Sequence, residues 1–596
     1  MDVMMETYYN KKTDDINSRI KNLKKKSNIF LCLKILTFVC FAFTAWAWIM
    51  DDDSPALSII SFVLYLITYI SDKHIQEKIG LLKTKSAVFY KELECIRGNF
   101  HVFDCGSNYI DNHHEYAFDL DIFGKDSLFN RISRCISGIG SHCLAEKFKS
   151  PCLNKSTISK RQEAVGELVS KINWCWDFIA RDYIDSKITE RLKYICDTEN
   201  DESDIKLFCT WKFHLIWTAP VAIFMFLLIG NMLGYVDDVI LGTMFIFNLT
   251  YVNIFGKTRK RIFKEACAMR KEFGAYKEIL KHIEKESFNS ELLKKQYNDL
   301  FNDTSNSLCA LKKVYKILTN IELRDNMVMN IVSEGLYLSD ILMIRLYLKW
   351  KQSHIISLPV WIKAISEFDS LVSMGIYTFN HSENTFPTFA DDDVIIDAKS
   401  VYHPFLDKRN AVGNDFHQKQ KDIFIITGAN MAGKSTMLRT IGINMVMAGC
   451  GMPTCADYFA YTPCHLFSNM RTSDDLSKNI SYFNAELIRL NQLIQFCKTH
   501  EHTYIILDEI LKGTNSEDKL KGSRLFLEYI SQLNVTGIIA THDLALSEME
   551  NEGKQYSNYC FEIEMSENIN YSYKITQGVA RNMNATYLLK KILKQK

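Results

Sequence analysis

The chain has 596 residues, 47% hydrophobic and 24% charged, with a formal net charge of +1. That length allows roughly three or more domains, and the balanced charge excludes the global basic field that advertises nucleic acid, so any such contact must be local. The 17 cysteines include no Cys-X-X-Cys pair, which argues against a zinc site or a secreted disulfide framework and for free thiols in a reducing compartment.

The first predicted elements are apolar. Ile35–Met50 is an uninterrupted apolar or small stretch, preceded by Ile29–Leu33 with only Lys34 between, and Ser54–Ser71 follows after Asp51-Asp52-Asp53. A second pair, Leu215–Tyr235 and Val239–Phe255, is separated by Val236-Asp237-Asp238. Each run is about 16 to 22 residues, near the ~20 that cross a bilayer. Trp46, Trp48, Trp217 and Tyr235 lie near run ends, where amphipathic rings favour the lipid interface. Lys21, Lys24, Lys25 and Lys26 precede the first run, and Lys257, Arg259, Lys260 and Arg261 follow the fourth, while both intervening turns are acidic. Two transmembrane hairpins with their open ends in the cytoplasm satisfy the positive-inside rule. The expectation is a multi-pass protein of an inner or plasma membrane, with the N-terminus and the C-terminal domain cytoplasmic. The competing reading, all-apolar core helices of a large soluble protein, does not explain the charge asymmetry. Lys34, close to a run end, can snorkel. A cleaved signal peptide is disfavoured, because the first run ends in Trp48-Ile49-Met50-Asp51 rather than in small residues.

No proline occurs from residue 221 to 358, and Arg259–Leu300 has apolar residues at three- and four-residue spacing, as one long amphipathic helix requires. The basic runs at 257–264 and 280–295 could meet DNA phosphates, although a solvated helix face or a contact with anionic lipid explains each better.

The chemistry lies in the last third. Ile423–Ile426 reads as a strand feeding Gly428-Ala429-Asn430-Met431-Ala432-Gly433-Lys434-Ser435-Thr436, the eight-position phosphate loop and its following threonine. The glycines let backbone N–H groups converge on phosphate oxygens, and the helix that starts near Lys434 adds its positive dipole end. Lys434 would reach the β- and γ-phosphates, and Ser435 would ligate Mg²⁺. Tyr504–Leu507 reads as a buried parallel strand ending in Asp508 and Glu509, where ligands bind in open α/β sheets. Asp508 would hold Mg²⁺ through water, and Glu509 would polarise the attacking water. A third strand, Gly537–Ala540, runs into Thr541-His542-Asp543, where His542 would sense the γ-phosphate. The spaced set Cys450, Cys455 and Cys464 reads as structural rather than metal-binding.

These motifs together resemble the MutS family of DNA mismatch-repair ATPases, a division of the ABC-type ATPases. The likeness rests on Thr427–Thr436 with Leu438-Arg439, on Asp508-Glu509-Ile510 with Gly513-Thr514, and on Ala540-Thr541-His542. Asp474-Asp475-Leu476 and Ser481-Tyr482-Phe483-Asn484-Ala485-Glu486 extend it, as do His403-Pro404 and Asn414-Asp415 ahead of the phosphate-loop strand. More weakly, Tyr116–Phe123 with Ser127-Leu128-Phe129, Gly140–Leu144 with Pro151, Arg161–Val165, and Phe368–Val372 with Pro387-Thr388-Phe389 resemble the family core. The resemblance implies a homodimer with composite sites in which Ser481 reaches the γ-phosphate bound to the other subunit. It also implies double-stranded or branched DNA as a partner. Two departures stand out. The family glycine-arginine pair after the acids is Leu511-Lys512, and no Phe-X-Glu wedge precedes residue 110, so mismatch reading by an intercalated aromatic is not expected. The region between Val165 and Phe368 is short once the second hairpin is subtracted, which implies a reduced or missing DNA clamp.

The expected fold is an α/β P-loop ATPase domain of ABC/MutS type joined to a mostly α-helical core with four transmembrane helices. The expected divisions are a basic N-terminus (1–27), hairpin 1 (28–72), a first core part (73–210), hairpin 2 (211–256), a helical lever (257–394) and the ATPase domain (395–596). The expected activity is Mg²⁺-dependent ATP hydrolysis that drives a dimer switch at a membrane. The alternatives are a membrane scaffold that binds no DNA and an ABC-type transporter, the latter disfavoured by the missing Leu-Ser-Gly-Gly-Gln string and by hairpins without a charged pathway.

Overall fold

The computed structural model describes residues 2–51, 55–181, 202–302, 306–322, 324, 326–391, 393–407, 409–471, 482–565 and 569–581. They form two compact units: Met1–Leu93 with Cys135–His142 and Asn173–Asp369, and Glu94–Arg134 with Cys143–Ile172 and Ser370–Lys596. The first is helical among its described residues, and the second is mixed α/β.

In the helical unit, four helices are long and apolar enough to cross a membrane, and their most apolar windows are only 0 to 17% buried. Ile35, Phe43, Trp46, Ile60 and Phe226 are each more than half exposed. Side chains of a core would be covered, and these are not covered within the chain. The helices Asp2–Asp51 and Pro55–Ile96 meet along a row of polar pairs. Ser27 Oγ donates to Asp72 at 2.8 Å, Thr37 and Thr68 hydroxyls lie 3.3 Å apart, and Thr44 and Ser61 hydroxyls 2.9 Å apart. Lys34 belongs to this row. Its Nζ lies 2.7 Å from Asp72 Oδ2, a partner on the neighbouring helix. The ends of the two helices away from the apolar runs close on an aromatic cluster in which Tyr9, Phe89 and Trp176 pack edge-on or tilted and are buried.

The long helix expected over Arg259–Leu300 is two helices, Gly256–Ile283 and Glu291–Phe301. Ser287, Asn289 and Ser290 fall in the break, where short polar side chains compete for the backbone. Helix Gly256–Ile283 packs with Ser307–Glu322 and Ser339–His354. Their shared core holds a buried pair, Glu265 with Lys351 at 3.2 Å, to which Tyr347 also donates at 2.8 Å. Two of the five basic residues at 257–264 are paired, Arg259 with Asp340 and Arg261 with Asp204, and further along the helix Arg270 pairs with Glu322.

The α/β unit contains a six-stranded sheet in the order β10-β9-β4-β8-β7-β6, with β4 Ile423–Gly428, β6 His465–Asn469, β7 Thr503–Asp508, β8 Val535–Ala540, β9 Tyr556–Met565 and β10 Ile569–Gln577. All neighbours are parallel except β9 and β10. Every residue of β4 and β8 is buried, which explains their continuous Ile and Phe runs. A four-stranded sheet, β1-β5-β2-β3, comprises Thr388–Phe389, Tyr458–Tyr461, Val394–Val401 and Asn414–Lys419. The residues Tyr116–Phe123 belong to this unit and brace the end of β6. Asp119 accepts from Ser468 Oγ at 2.7 Å and from the Met470 and Arg471 amides at 3.0 Å, and Asp121 pairs with Arg471 at 2.6 Å.

Candidate functional site

Register alone brings the catalytic candidates together. Ile426 on β4 and Asp508 on β7 both pair with Ala540 on β8, so the three strands end at one level. The phosphate loop, the two acids and Thr541-His542 therefore emerge side by side at the carboxyl edge of the sheet, where α/β folds bind ligands. Two backbone bonds lock the level: Thr541 N–H to Ile426 O at 3.0 Å and Glu509 N–H to Ala540 O at 2.9 Å.

The loop Gly428–Gly433 caps helix Lys434–Gly449, which is buried along nearly its whole length. Gly433 adopts φ 113° and Met431 φ 66°, so the loop turns through left-handed conformations that a glycine adopts without strain. Ala429 and Ala432 are buried, while Asn430, Met431 and Thr436 face outward. Lys434 Nζ donates to Gly428 O at 2.8 Å and Ala429 O at 3.0 Å, and lies 3.2 Å from His542 Nε2. Burial lowers the lysine's affinity for its proton, an effect that an arriving polyphosphate would reverse.

Ser435 Oγ donates to Asp508 Oδ2 at 2.7 Å. A hydroxyl and a carboxylate in contact at the mouth of a phosphate loop supply the hard oxygen donors that Mg²⁺ takes, so the residues present fit that ion. Glu509 sits at φ 51°, with Oε1 at 3.1 Å from His542 Nε2 and Oε2 at 3.9 Å from Lys519 Nζ. Burial, and next the Lys434 charge, lower the His542 pKa, so the ring is neutral at neutral pH. One ring nitrogen thus faces both an ammonium and a carboxylate, and it can accept from Lys434 or donate to Glu509 but not both. Ser481, the expected trans-acting residue, and Asp474-Asp475-Leu476 lie outside the described residues.

Sequence reasoning missed four parts of this site. A cavity of about 320 Å³ opens beside the loop, lined by Val401, His403, Thr436, Phe561 and Tyr573 among others. Its aromatic and aliphatic walls suit a planar base. Burial, with Arg439 and Arg131 nearby, pulls His403 down to about 4, so its ring is neutral there. Phe561 arrives through the pairing of β4 with β9, opposite Gly428, and a Cβ on Gly428 would lie 3.0 Å from Phe561 O. No local motif announces a wall built by strand pairing. The third missed part is Lys519, which reaches Glu509 from the first turn of the following helix, Ser516–Ser531. The fourth is the role of Glu486, noticed only as part of a motif. Its buried carboxylate accepts the Lys512 amide at 3.0 Å and faces the amides of Leu511 and Gly513. The helix that begins just after Ser481 is thereby fastened to the loop that follows Glu509.

A family model described as MutS domain V matches residues 424–590, and one described as MutS domain III matches residues 111–375. The chain is 28% identical over 232 residues to the human MutS protein homolog 4, a match covering 37% of this chain and 24% of that protein. It is 29% identical over 213 residues to the DNA mismatch repair protein MutS of Persephonella marina, covering 33% and 23%. With the protein of the same description from Acetivibrio thermocellus it shares 30% over 230 residues, covering 37% and 26%. The chain thus matches about a quarter of the length of these relatives.

Proposed function

Given that the chain belongs to the MutS family, we propose that it is an Mg²⁺-dependent ATPase that hydrolyses ATP to ADP and phosphate and acts as an ATP-driven homodimer switch tethered to a membrane. The observation that carries this reading is the convergence of Lys434, Ser435, Asp508, Glu509 and His542 at one sheet edge. Lys434 leaves the carbonyls of Gly428 and Ala429 for the β- and γ-phosphates. His542 Nε2, freed from the ammonium, then turns its N–H to Glu509 and holds that carboxylate towards the attacking water. Ser435 and Asp508 would hold Mg²⁺, whose charge would offset that developing on the phosphate oxygens. The aromatic cavity takes the base. Ser481 would complete the site of the other subunit, and the Glu486 contact would carry the state of the Glu509 loop to the helix behind Ser481.

The tether is supported by the four apolar helices with outward-facing side chains and by the basic flanks of the two hairpins. Double-stranded or branched DNA is the partner that family membership suggests. A second reading, a membrane switch that binds no DNA, is favoured by one specific observation: Arg259, Arg261 and Arg270 are already paired with acids of the chain. A titration of the detergent-solubilised protein with homoduplex, mismatched and branched DNA, with and without ATP, separates the two. Salt-sensitive binding supports the DNA reading. Absence of binding at low salt with ATPase activity intact refutes it. Loss of nucleotide binding in Lys434→Ala tests the site, and retained binding would overturn its assignment.

A further inference from the structure

The two hairpins do not exhaust the apolar surface of the helical unit. Helix Met327–Tyr337 has 11 residues, and Met327, Val328 and Met329 are 75, 70 and 60% exposed. Ile331 and Val332 continue this face. Its only ionisable side chain besides the terminal tyrosine is Glu334, which is buried and turned back to accept from Ser339 Oγ and the Asp340 amide. The helix packs against Asp238–Tyr251 and Ala219–Met232 of the second hairpin. At Leu338, which takes φ 50°, the chain bends by 83° into helix Ser339–His354.

Three features decide what covers this face. First, its length is about 16 Å, half of the ~30 Å hydrocarbon core, so it cannot cross. Second, the charges on either side of it meet at a single point. Arg324, before the helix, and Asp340, after it, pair at 3.0 Å, and Arg259, which follows the last apolar run, joins Asp340 at 3.2 Å. The segment therefore leaves and returns on the same charged side. Third, carbonyls near its C-terminus are satisfied by side chains of the hairpin rather than left to water. Asn248 Nδ2 donates to Gly335 O at 2.8 Å, and Trp217 Nε1 donates to Tyr337 O at 2.8 Å. Gly335 permits this approach, because a Cβ there would lie 2.0 Å from the Phe245 ring. Backbone satisfied within the protein is what a hydrocarbon environment demands.

Building on the membrane reading above, we propose that helix Met327–Tyr337 is a fifth membrane-embedded element, lying within the cytoplasmic leaflet with Met327, Val328, Met329, Ile331 and Val332 against acyl chains. Its apolar face continues that of the second hairpin, and its elbow joins it directly to the helical bundle. The partner of this surface is the lipid bilayer itself.

The test places a photoreactive diazirine amino acid at Val328 in the full chain, reconstituted in phosphatidylcholine–phosphatidylglycerol vesicles. Lipid adducts are read by mass spectrometry. Phe226, 76% exposed on the second hairpin, and Ile356, 86% exposed beyond the far end of helix Ser339–His354, are the comparison sites. Adducts at Val328 within about threefold of Phe226, with Ile356 at background, are expected. Labelling of Phe226 with Val328 at the Ile356 level overturns the proposal and leaves the tether standing. Background at Phe226 overturns the tether and this proposal with it. Capture of a second protein chain at Val328 in place of lipid also overturns it.

Discussion

Leu511 stands where related ATPases have glycine, at φ 60°, and replacing it by glycine sets two effects of opposite sign against each other. Relief of the left-handed backbone is worth about 1–2 kcal/mol. Against that, Leu511 is 7% exposed and belongs to the core cluster with Ile510, Phe526 and Leu527. Its Cδ1 comes so close to Gly522 that a Cβ there would lie 2.5 Å from it. Removing a leucine from such a site costs about 2–5 kcal/mol. At the middle of both ranges packing wins, so Leu511→Gly is expected to destabilise by about 2 kcal/mol. Leu511→Ala loses much of the packing and keeps the strain, so it should fall below Leu511→Gly by about 1 kcal/mol. Denaturant unfolding of the full chain in detergent, followed by hydrogen exchange of peptides from helix Ser516–Ser531, which packs against Leu511, gives the order. Wild type above Leu511→Gly above Leu511→Ala is the expected result. A glycine variant as stable as wild type, or an alanine variant more stable than the glycine one, would refute the reasoning.

Glu509→Gln should cut turnover by about 10²–10⁴-fold while ATP still binds, giving a long-lived nucleotide-bound dimer on size exclusion; normal steady-state turnover would remove Glu509 from its role. Glu486→Ala strips the acceptor from the amides at 511–513, and an unsatisfied buried amide costs about 1–3 kcal/mol. Its expected signature is a reduced kcat with an ATP KM within about twofold of wild type, and a change confined to KM would count against it. Asp369 is fully buried and accepts from Ile136 N–H at 3.0 Å, Ser137 N–H at 2.9 Å and Ser137 Oγ at 2.6 Å, and burial raises it from its usual carboxyl range to about 7. The folded state therefore binds a proton that the unfolded state releases near pH 4, and stability should fall as pH rises from about 4 to about 7. Thermal scans across that window should show a shallower slope for Asp369→Asn, and parallel slopes would dismiss the assignment.

Local chemistry made the phosphate loop, the acid pair and the following histidine legible, because each is a short string tied to a strand end. What escaped notice depends on pairing across the chain. Phe561 and Tyr573 lie more than a hundred residues from Gly428 and reach the base cavity only through β9 and β10. Asp119 reads as an ordinary acid until β6 brings three donors to it. Hydropathy found the four long apolar runs but not Met327–Tyr337, which is half their length and follows a charged stretch. The break at Ser287–Ser290 was hidden because apolar residues recur at three- and four-residue spacing on both sides of it. The partner of Lys34 escaped notice for a related reason: it is 38 residues away on the next helix.

The row of polar pairs inside the first hairpin predicts an unusual pattern of evolutionary freedom. On the proposed membrane reading these side chains meet lipid, which accepts any apolar group, so Ile35, Phe43, Ile60 and their neighbours should exchange freely among relatives that share this hairpin. Ser27, Lys34, Thr37, Thr44, Ser61, Thr68 and Asp72 each answer to a partner on the opposite helix, and a one-residue slide would strand them all. In a helix pair of this design, the hydrophilic letters are the ones that drift least.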